Sequence, residues 1–452
     1  MDLSYLFLSV PFLLALVFGL AVPAMLVLSY SRFGVGLALV FGVFMVDTMM
    51  MGEGVLSIGI NLFYPDIALG MVGLVASLRL IFAPDFPQKN RFWLCFCVLV
   101  LVSLVTGLVS FGSSAGVQAR PYFYFIVAGL YAMSFSMNEQ RMKSVFNALT
   151  VTAFVLVLLT VYRWVVYYTP ITSLLPPGGA YNIDGPIRVV YSNHALVIAQ
   201  VLVGGFFFVA ASSGFTVARL MSPVLLGAVL VLQHRSVWLA GLAGILVRFL
   251  LGKSKSGSAS SQLFLIVVIV AVTAVPLAFN SKLSGVTEQL GSSASRALSG
   301  SDTTSERLKS WQEIVKNWYG AGVRSILIGQ SFGADNTRYV KDSRGLTRKI
   351  AYTAHNFYVQ TLFNTGLLGL LSFLVAARYV MVGLYRICRD GRGGAEAEVL
   401  LVLMAMQLVY FVPYGTDYLQ SFILGVALAY VAGKNAVSPD AVIENRGEKA
   451  WA

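Results

Sequence analysis

The sequence predicts an all-α polytopic membrane protein with about 12–13 transmembrane helices and one large loop that contains amphipathic helices. Hydrophobic residues make up 57% of the 452 residues, charged residues make up 12%, and the mean hydropathy is +0.77. One soluble core could not bury this much apolar surface, so the bilayer is expected to be the solvent. The apolar runs lack strand signals, and helices are then the structures that satisfy the backbone in lipid.

The apolar runs succeed one another with mostly short connections between them. Candidate spans cover residues 4–29, 33–50, 62–83, 92–111, 120–136, 142–168, 189–212, 218–233, 236–251, 262–279, 355–383, 396–412 and 418–434. The first run contains Pro11 and Pro23 and lacks a cleavage-site pattern, so we expect a retained helix rather than a signal peptide. Cys95, Cys97 and Cys388 have neither disulfide nor zinc-site spacing and are interpreted as small apolar residues.

Lysine and arginine in short loops predict the orientation of the helices. Basic clusters at alternate helix ends mark the cytoplasmic side: Arg79, Lys89 and Arg91; Arg141 and Lys143; Arg248, Lys253 and Lys255; Arg378, Arg386, Arg389 and Arg392; Lys434, Arg446 and Lys449. The predicted organisation is an N-terminal helical part at 1–279 with an outer loop at 169–188, a large outer loop at 280–354, C-terminal helices at 355–434 and a cytoplasmic tail at 435–452.

Three polar residues are predicted to lie together on the outer face. Arg188 ends the Pro/Gly-rich outer loop, Arg235 lies in the tight hairpin QHRSVW, and His355 follows the large loop. Each stands at the outer end of a helix that then enters the membrane, and the hydrophobic pattern alone does not require this. A shared site at the membrane surface is the interpretation that explains all three positions.

The large loop is too long to be a simple connection. Between residues 280 and 352 it has eleven basic and six acidic residues, and an anionic ligand is the simplest reason for this outward basic excess. Its segment TTSERLKSWQEIVKNWYG is predicted to form an amphipathic helix that starts with a capping box of Thr303 and Glu306. The following ILIGQSFGAD is predicted to be a structural turn.

The amphipathic helix has one apolar stripe, formed by Leu308, Trp311, Ile314 (or Val315) and Trp318. The stripe has two interpretations, which are compatible with each other. It packs on the loop's own domain, or it lies at the lipid interface beside the site with Trp311 and Trp318 as anchors.

The residue types at the outer face suit transfer from a diphosphate. Arg188 and Arg235 could clamp a diphosphate, because guanidinium groups form paired hydrogen bonds with phosphate and stabilise the charge of a leaving group. His355 titrates near neutral pH and could accept a proton from a hydroxyl nucleophile. The structural alternatives are an interfacial arginine that binds lipid headgroups and a histidine that is only hydrogen-bonded.

Other polar residues near the outer helix ends are further candidates. Arg120 and Arg163 are cations that could extend the anion site, and His234 beside Arg235 has either a binding or a structural role. His194 is interpreted as hydrogen-bonded within its helix. The secondary acidic candidates are Asp47, Glu53, Asp66 and Asp417.

The sequence has no Gly-rich nucleotide loop, no carboxylate pair at metal-ligand spacing and no Cys/His cluster. We therefore expect no cofactor, no metal site and no nucleic-acid partner, and a nucleotide sugar is not expected as donor. A lipid-linked diphosphate sugar fits better, because its anion would lie at the membrane surface, its tail in lipid and its sugar outside.

With these residues the chain resembles the O-antigen ligase and Wzy polymerase family of bacterial membrane glycosyltransferases. HRSVW is similar to the family's Arg-Ser-x-Trp turn. His355, ten intervening residues, Gly366 and then Gly369 match the ligase-like His…GxxG pattern. SERLKSWQEIVKNWYG and ILIGQSFG resemble the family's loop helix and Gly-rich turn, with Arg307 and Trp311 at familiar positions.

The resemblance implies a GT-C-like fold and metal-independent transfer of a glycan from undecaprenyl diphosphate to a hydroxyl acceptor, at the periplasmic face of the bacterial inner membrane. It implies His355 as base and Arg235 with Arg188 as diphosphate clamp. The candidate substrate-binding residues are Arg307, Asn356, Trp311, Arg120, Arg163 and His234. The acceptor is lipid A–core in a ligase of lipopolysaccharide assembly, or another lipid-linked repeat in an O-antigen or exopolysaccharide polymerase. The His–Gly spacing favours the ligase.

Two other classes of protein remain as alternatives. A transporter or flippase of lipid-linked glycans would place charges and broken helices near the bilayer midplane, often with internal repeats. The predicted spans are instead nearly free of charge at mid-depth. A structural scaffold would give no reason for Arg188, Arg235 and His355 to converge.

Overall fold

The computed structural model describes residues 22–50, 56–57, 61–83, 90–169, 171–175, 189–205, 224–232, 234–251, 302–341 and 347–436. These residues are mostly helical, and five of their helices are long and apolar enough to cross a membrane. The predicted class, an all-α polytopic membrane protein, is thereby confirmed. The predicted span 262–279 and most of the span 4–29 lie outside the described residues.

The described elements follow the apolar runs of the sequence. The helices are α1 Val22–Ser31, α2 Phe33–Met50, α3 Tyr64–Phe82, α4 Arg91–Phe111, α5 Ser113–Met133, α6 Glu139–Tyr168, α7 Ser192–Gln200, α8 224–231, α9 Arg235–Leu251, α10 Asp302–Gly320, α11 Val323–Ile328, α12 Phe357–Arg389, α13 Gly394–Tyr410 and α14 Tyr418–Ala436. A π-helical turn, Val201–Gly205, continues α7. The five candidate spans are α2, α3, α4, most of α6, and α12.

Two short antiparallel hairpins correct the expectation that the chain lacks strands. β1 Leu56–Ser57 pairs with β2 Asn61–Leu62 between α2 and α3. β3 Arg338–Lys341 pairs with β4 Thr347–Ile350 in the large loop. Both hairpins are local and very short. Their sequences therefore show no alternation of apolar and polar residues that is long enough to indicate a strand beside the helical pattern.

Two buried arginines tie together the ends of neighbouring helices. Near the end of α6, Arg163 donates to the carbonyls of Thr48 in α2 (2.8 Å) and Val189 before α7 (2.9 Å). In the last turn of α3, Arg79 donates to the Tyr30 carbonyl in α1 (2.6 Å). The ends of α2 and α6 therefore lie together, while α3 ends near the start of α2. Neighbouring helices thus alternate in direction, as the basic loops predict.

An aromatic cluster fixes the start of α12 in the helix bundle. The Phe357 ring lies 4.6 Å from the Phe373 ring, 4.7 Å from Phe411 and 5.3 Å from Phe125, measured between centroids. Phe357 is fully buried. Its backbone N–H also donates to the Phe411 carbonyl at 3.0 Å. The backbone immediately before Phe357 is thereby held against the bundle.

The amphipathic helix of the large loop is present as α10, but its apolar stripe faces the protein. The stripe packs in a small core of Ile314, Trp318, Ala334, Ala354 and Phe363, with Trp311 at its edge. The interpretation of the two tryptophans as lipid anchors is therefore wrong. Leu308, which is 52% exposed, does not join this core. The helix begins at Asp302, so Thr303, the predicted capping position, lies inside its first turn.

Candidate active site

The start of α12 is connected by contacts to the start of α7. The Phe357 N–H donates to the Tyr414 carbonyl at 2.8 Å. Tyr414 stacks on Tyr410, with 4.8 Å between the ring centroids. The Tyr410 hydroxyl shares a hydrogen bond with the Ser192 hydroxyl at 2.8 Å. The N-terminal ends of α12 and α7 therefore lie at one end of the bundle.

The hairpin between α8 and α9 joins the same end. His234 is buried, and its Nε2 lies 3.0 Å from the Val190 carbonyl, just before α7. Because a carbonyl only accepts, His234 carries a proton on Nε2. Trp238 donates to the Val229 carbonyl at 3.0 Å and so links the two helices of the hairpin. Arg235, the first residue of α9, thus stands at the end of the bundle where His355 precedes α12, which we call the His355 end.

His355 has an unusual backbone conformation. Its φ is +46°, in the left-handed region that residues other than glycine and asparagine rarely adopt. Its side chain is exposed, and its ring lies 5.3 Å from the Tyr352 ring between centroids. Left-handed residues of this kind are held by their surroundings and are frequent at functional sites.

Both neighbours of His355 are fixed by hydrogen bonds. Asn356 is the N-cap of α12, and its Oδ1 accepts from the Val359 N–H at 2.9 Å. The Ala354 N–H donates to Gln360 Oε1, also at 2.9 Å. Asn356 is buried, so this capping contact gives the predicted binding residue a structural role.

The large loop supports His355 from the other side. Trp311 of α10 donates its indole N–H to the Ala354 carbonyl at 2.7 Å. Arg338 is only 2% exposed and donates to the Tyr352 carbonyl at 2.7 Å and to Ser310 Oγ at 2.5 Å. Hydrogen bonds thus connect helix α10, the hairpin β3–β4 and the segment before α12 next to His355.

Positive charges surround His355 and affect its protonation. Partial burial, followed by the guanidinium groups of Arg307 and Arg338, lowers the pKa of His355 below its ordinary value of 6.5. Arg307 is exposed, and its guanidinium lies 6.0 Å from the centroid of the Tyr414 ring. At pH 7 the imidazole is therefore neutral, which is the form that accepts a proton.

The other predicted cations are located elsewhere. Arg163 holds backbone carbonyls of α2 and of the segment before α7. Arg120 of α5 pairs with Asp66 (3.3 Å) and donates to the Asn61 carbonyl (3.0 Å). Both sets of contacts hold the ends of neighbouring elements, and a substrate-binding role for Arg120 and Arg163 stays a prediction. Arg188 lies outside the described residues.

Two further polar residues from the sequence analysis, His194 and Asp417, are also buried at helix ends. His194 is 3% exposed, its Nε2 lies 2.9 Å from Thr48 Oγ1, and its ring meets Phe44 edge-on. This contact agrees with its interpretation as a hydrogen-bonded helix residue. Asp417 caps α14 by accepting from the Gln420 N–H at 3.0 Å.

A break in α12 at Gly366 lets the Gly329 segment of the large loop contact this helix. Gly366 has φ 69° and ψ −170°, a conformation available to glycine alone, inside what is otherwise one helix. A Cβ at Gly366 would overlap the Leu327 carbonyl, and a Cβ at Gly329 would overlap the Asn364 carbonyl. The two glycines of the GxxG and ILIG segments therefore let the two backbones touch.

The carbonyls freed by this break are hydrogen-bonded. The Phe363 carbonyl accepts from the Gln330 N–H at 2.8 Å, and the Asn364 carbonyl accepts from Ser103 Oγ at 2.7 Å. Phe332, fully buried, continues the same loop segment against Tyr122 at 5.2 Å between centroids. ILIGQSFGAD is thus a structural turn, as predicted, and it closes the broken helix tightly.

The comparisons with known proteins identify the part of the chain that contains this arrangement. Residues 220–374 match the family model described as O-antigen ligase. The matched segment extends over about a third of the chain. No curated protein and no solved structure matches it.

The O-antigen ligase segment includes most of the residues described around His355. Arg235, Arg307, Trp311, His355 and Gly366 all lie inside it. Arg120, Arg163 and Arg188 lie outside it. Arg338 and Gly329 also lie inside it, and the sequence pattern gives neither a specific role: Arg338 is one of the eleven basic residues of the loop, and Gly329 is part of the predicted turn.

Proposed function

We propose that the chain belongs to this O-antigen ligase family and is a membrane glycosyltransferase that moves a glycan from undecaprenyl diphosphate to a hydroxyl acceptor. The supporting observation is the presentation of a neutral, exposed His355 at the same end of the bundle as Arg235. Lipid A–core is the proposed acceptor, so the enzyme is a ligase of lipopolysaccharide assembly. Its proposed location is the bacterial inner membrane, with the His355 end facing the periplasm.

In the proposed reaction the acceptor oxygen attacks the anomeric carbon of the donor sugar. The hydroxyl proton passes to the neutral imidazole of His355 as the new carbon–oxygen bond forms. The bond between the anomeric carbon and the phosphate oxygen breaks, and its electron pair leaves with the lipid diphosphate. The guanidinium group of Arg235, at the start of α9, stabilises that negative charge. Arg188 completes the diphosphate clamp in this proposal.

The position of Arg235 itself favours an anionic ligand. The first turn of a helix has a partial positive charge, which adds to the positive charge of the Arg235 guanidinium group. A diphosphate would interact favourably with both the guanidinium group and the helix end. Arg307 lies near His355 and is proposed to bind the same donor, which brings negative charge toward the base.

A transporter remains the alternative of another class, because α12 is broken. Discontinuous helices that bind ions in transporters leave their backbone groups exposed to a cavity. At Gly366 the freed carbonyls of Phe363 and Asn364 are instead bonded to Gln330 and Ser103. The break therefore supports a rigid loop attachment better than an ion pathway.

The proposed function is tested by offering purified protein a lipid-linked diphosphate oligosaccharide and two acceptors in competition. One acceptor is lipid A–core and the other is a second lipid-linked repeat, and the reaction is run with EDTA. We expect glycan on the core. Elongated lipid-linked chains would identify a Wzy-type polymerase with the same chemistry. No product on either acceptor from folded protein would contradict the transferase and favour transport.

The acidic limb of the pH profile is expected to depend on Arg307. Arg307→Gln removes a positive charge near His355, so the pKa of His355 rises and less neutral base is present at a given acidic pH. The acid limb of kcat/KM is expected to move to higher pH by roughly a few tenths of a pH unit, since the charge is exposed and screened.

Arg307→Lys is the matched control because it keeps the charge. Its acid limb is expected to coincide with that of the wild type, even if its KM increases. The acid limb of kcat/KM could instead move to lower pH in Arg307→Gln, or move equally in both variants. Either result would show that the charge of Arg307 does not set the protonation of His355.

A further inference from the structure

A cavity lies at the His355 end, between α2, α3, α5, α7 and α14, and its volume is about 240 Å³. Asp47 from the last turn of α2, Asn193 from α7 and Asp417 before α14 contribute its polar wall. Asn193 follows Ser192, whose hydroxyl contacts Tyr410. The cavity is thus a neighbour of the proposed transfer site, but none of its lining residues belongs to that site's base or to Arg235.

Tyr418 is one of the residues that line this cavity, and within the described residues its hydroxyl has no hydrogen-bond partner. The residue is only 8% exposed, and its hydroxyl is buried without a hydrogen-bond partner. Its ring is fixed by edge-on contacts with Phe44 at 5.8 Å and Tyr124 at 6.1 Å between centroids. Leaving a buried hydroxyl unpaired is unfavourable, and a ligand with hydroxyl groups would satisfy it.

The acidic groups of the cavity are available to accept hydrogen bonds. Within the described residues, Asp47 forms no hydrogen bond or ion pair. Asp417 accepts from Asn193 Nδ2 at 2.8 Å and from the Gln420 N–H at 3.0 Å, which leaves lone pairs on both oxygens. These acceptors suit a ligand in which one small molecule or ring donates several hydrogen bonds.

The charge distribution opposes an anionic ligand. Arg120 lines the cavity, but it is paired with Asp66, whose other oxygen accepts from the Phe63 N–H at 2.8 Å. Asp47 and Asp417 therefore remain as uncompensated carboxylates, which repel phosphate. Among the residues that the structure describes, no group of three metal-ligating side chains is present here. Carboxylates, an amide and tyrosine rings around a small volume suit a sugar ring, which has hydroxyl groups at its edge and apolar faces.

We propose that this cavity is a subsite for one uncharged sugar ring of the glycan substrate. The inference rests on the proposed function, and it adds a glycan-binding position away from the reacting bond. Asp47 and Asp417 accept hydrogen bonds from the sugar hydroxyls. The Tyr418 hydroxyl forms a further hydrogen bond with one of these sugar hydroxyls. The volume, below the several hundred Å³ of pockets for drug-sized ligands, limits the subsite to a single ring.

The subsite is tested first by binding, with the full-length protein in detergent and saturation-transfer NMR. The probes are free glucose, galactose, N-acetylglucosamine and rhamnose, with glucosamine and inorganic phosphate for comparison. We expect signal from at least one uncharged sugar, weakened at least about fivefold in Tyr418→Phe and Asp47→Asn. Binding of phosphate or glucosamine alone, or sugar signals equal in wild type and Tyr418→Phe, would overturn the proposal.

Tyr418→Phe separates a binding role from a structural one. Because the lost hydroxyl has no partner, its removal is expected to leave the apparent Tm unchanged or higher. The matched control is Tyr131→Phe, whose hydroxyl donates to the Ser29 carbonyl at 3.0 Å at the opposite end of the bundle. That variant is expected to lose stability and to keep sugar binding. A Tyr418→Phe protein that loses both stability and binding would indicate a structural hydroxyl and overturn the subsite.

Transfer kinetics then distinguish the two sources of the sugar. In the competition assay, Tyr418→Phe and Asp47→Asn are expected to raise KM at least about fivefold for one substrate with kcat nearly unchanged. A higher KM for the donor assigns the sugar ring to the lipid-linked glycan. A higher KM for the acceptor assigns the ring to the acceptor. Tyr418-dependent sugar binding in a protein without transfer activity would support the subsite while contradicting the transferase.

Discussion

Replacing His355 with asparagine is expected to lower kcat for glycan transfer by about 10²–10⁴-fold, the usual contribution of a general base. Asparagine tolerates the left-handed backbone that His355 adopts at φ +46°, so the variant is expected to fold normally. It has no group that accepts a proton near neutral pH. The loss is therefore expected in kcat, with the KM of the donor changed little, in steady-state transfer with purified protein.

A second variant makes the interpretation of this loss clear. His355→Gly relieves the left-handed conformation completely and is expected to be at least as stable as the wild type. If both variants melt like the wild type and both lose transfer, the lost property is the imidazole itself. Transfer within about threefold of the wild type in folded His355→Asn would exclude His355 as the base.

Replacing Gly366 with alanine is expected to destabilise the protein by at least about 3 kcal/mol. The new Cβ would be forced into a conformation that only glycine adopts easily, and it would overlap the Leu327 carbonyl. The loop segment with Gly329 would have to separate from α12. We expect a lower apparent Tm in detergent and loss of transfer, because α12 also sets the position of His355.

Two other glycines serve as controls for this substitution. A Cβ at Gly70 of α3 meets no atom within 4 Å, so Gly70→Ala is expected to change stability by less than about 1 kcal/mol. The nearest atoms to a Cβ at Gly369 are all in the side chain of Thr365 and not in the backbone, and Gly369 has no left-handed φ, so an intermediate loss is expected. Equal melting of Gly366→Ala and Gly70→Ala would show that the broken helix does not require glycine.

The helical membrane fold was predictable because it depends on composition and on the length of apolar runs. The direction of the helices followed in the same way from Arg79 and the other basic loop residues, and Arg79 indeed lies at the end of α3 beside Tyr30. The hairpin β3–β4 was not predictable, since a strand of four residues has no periodicity that exceeds chance.

The candidate site was predictable in its positions and less so in its contacts. His355 and Arg235 became candidates because each is a polar residue at a helix end, which is a local property of the sequence. Trp311 has helical spacing with Trp318, and that pattern cannot tell a lipid face from a protein face. The partner that decides, the Ala354 carbonyl, lies 43 residues away in the chain.

Long-range contacts also explain the residues without a predicted role. Arg338 is buried because it donates to the carbonyls of Tyr352 and Asn336 and to the hydroxyl of Ser310, whereas other arginines of the loop are exposed. Arg120 was interpreted as part of an anion site, and its pairing with Asp66 joins helices that are far apart in sequence. A side chain's charge is visible in the sequence, whereas the partner that neutralises it is not.

The most direct test of glycan transfer at the His355 end is a single-turnover reaction that follows the lipid product. Purified protein in EDTA is mixed with excess acceptor and a donor labelled in its lipid and its glycan, and both labels are measured with time. We expect one undecaprenyl diphosphate to be released for each glycan transferred, with both rates reduced together in His355→Asn. Release of the monophosphate, or equal transfer by wild type and His355→Asn, would contradict the proposed mechanism.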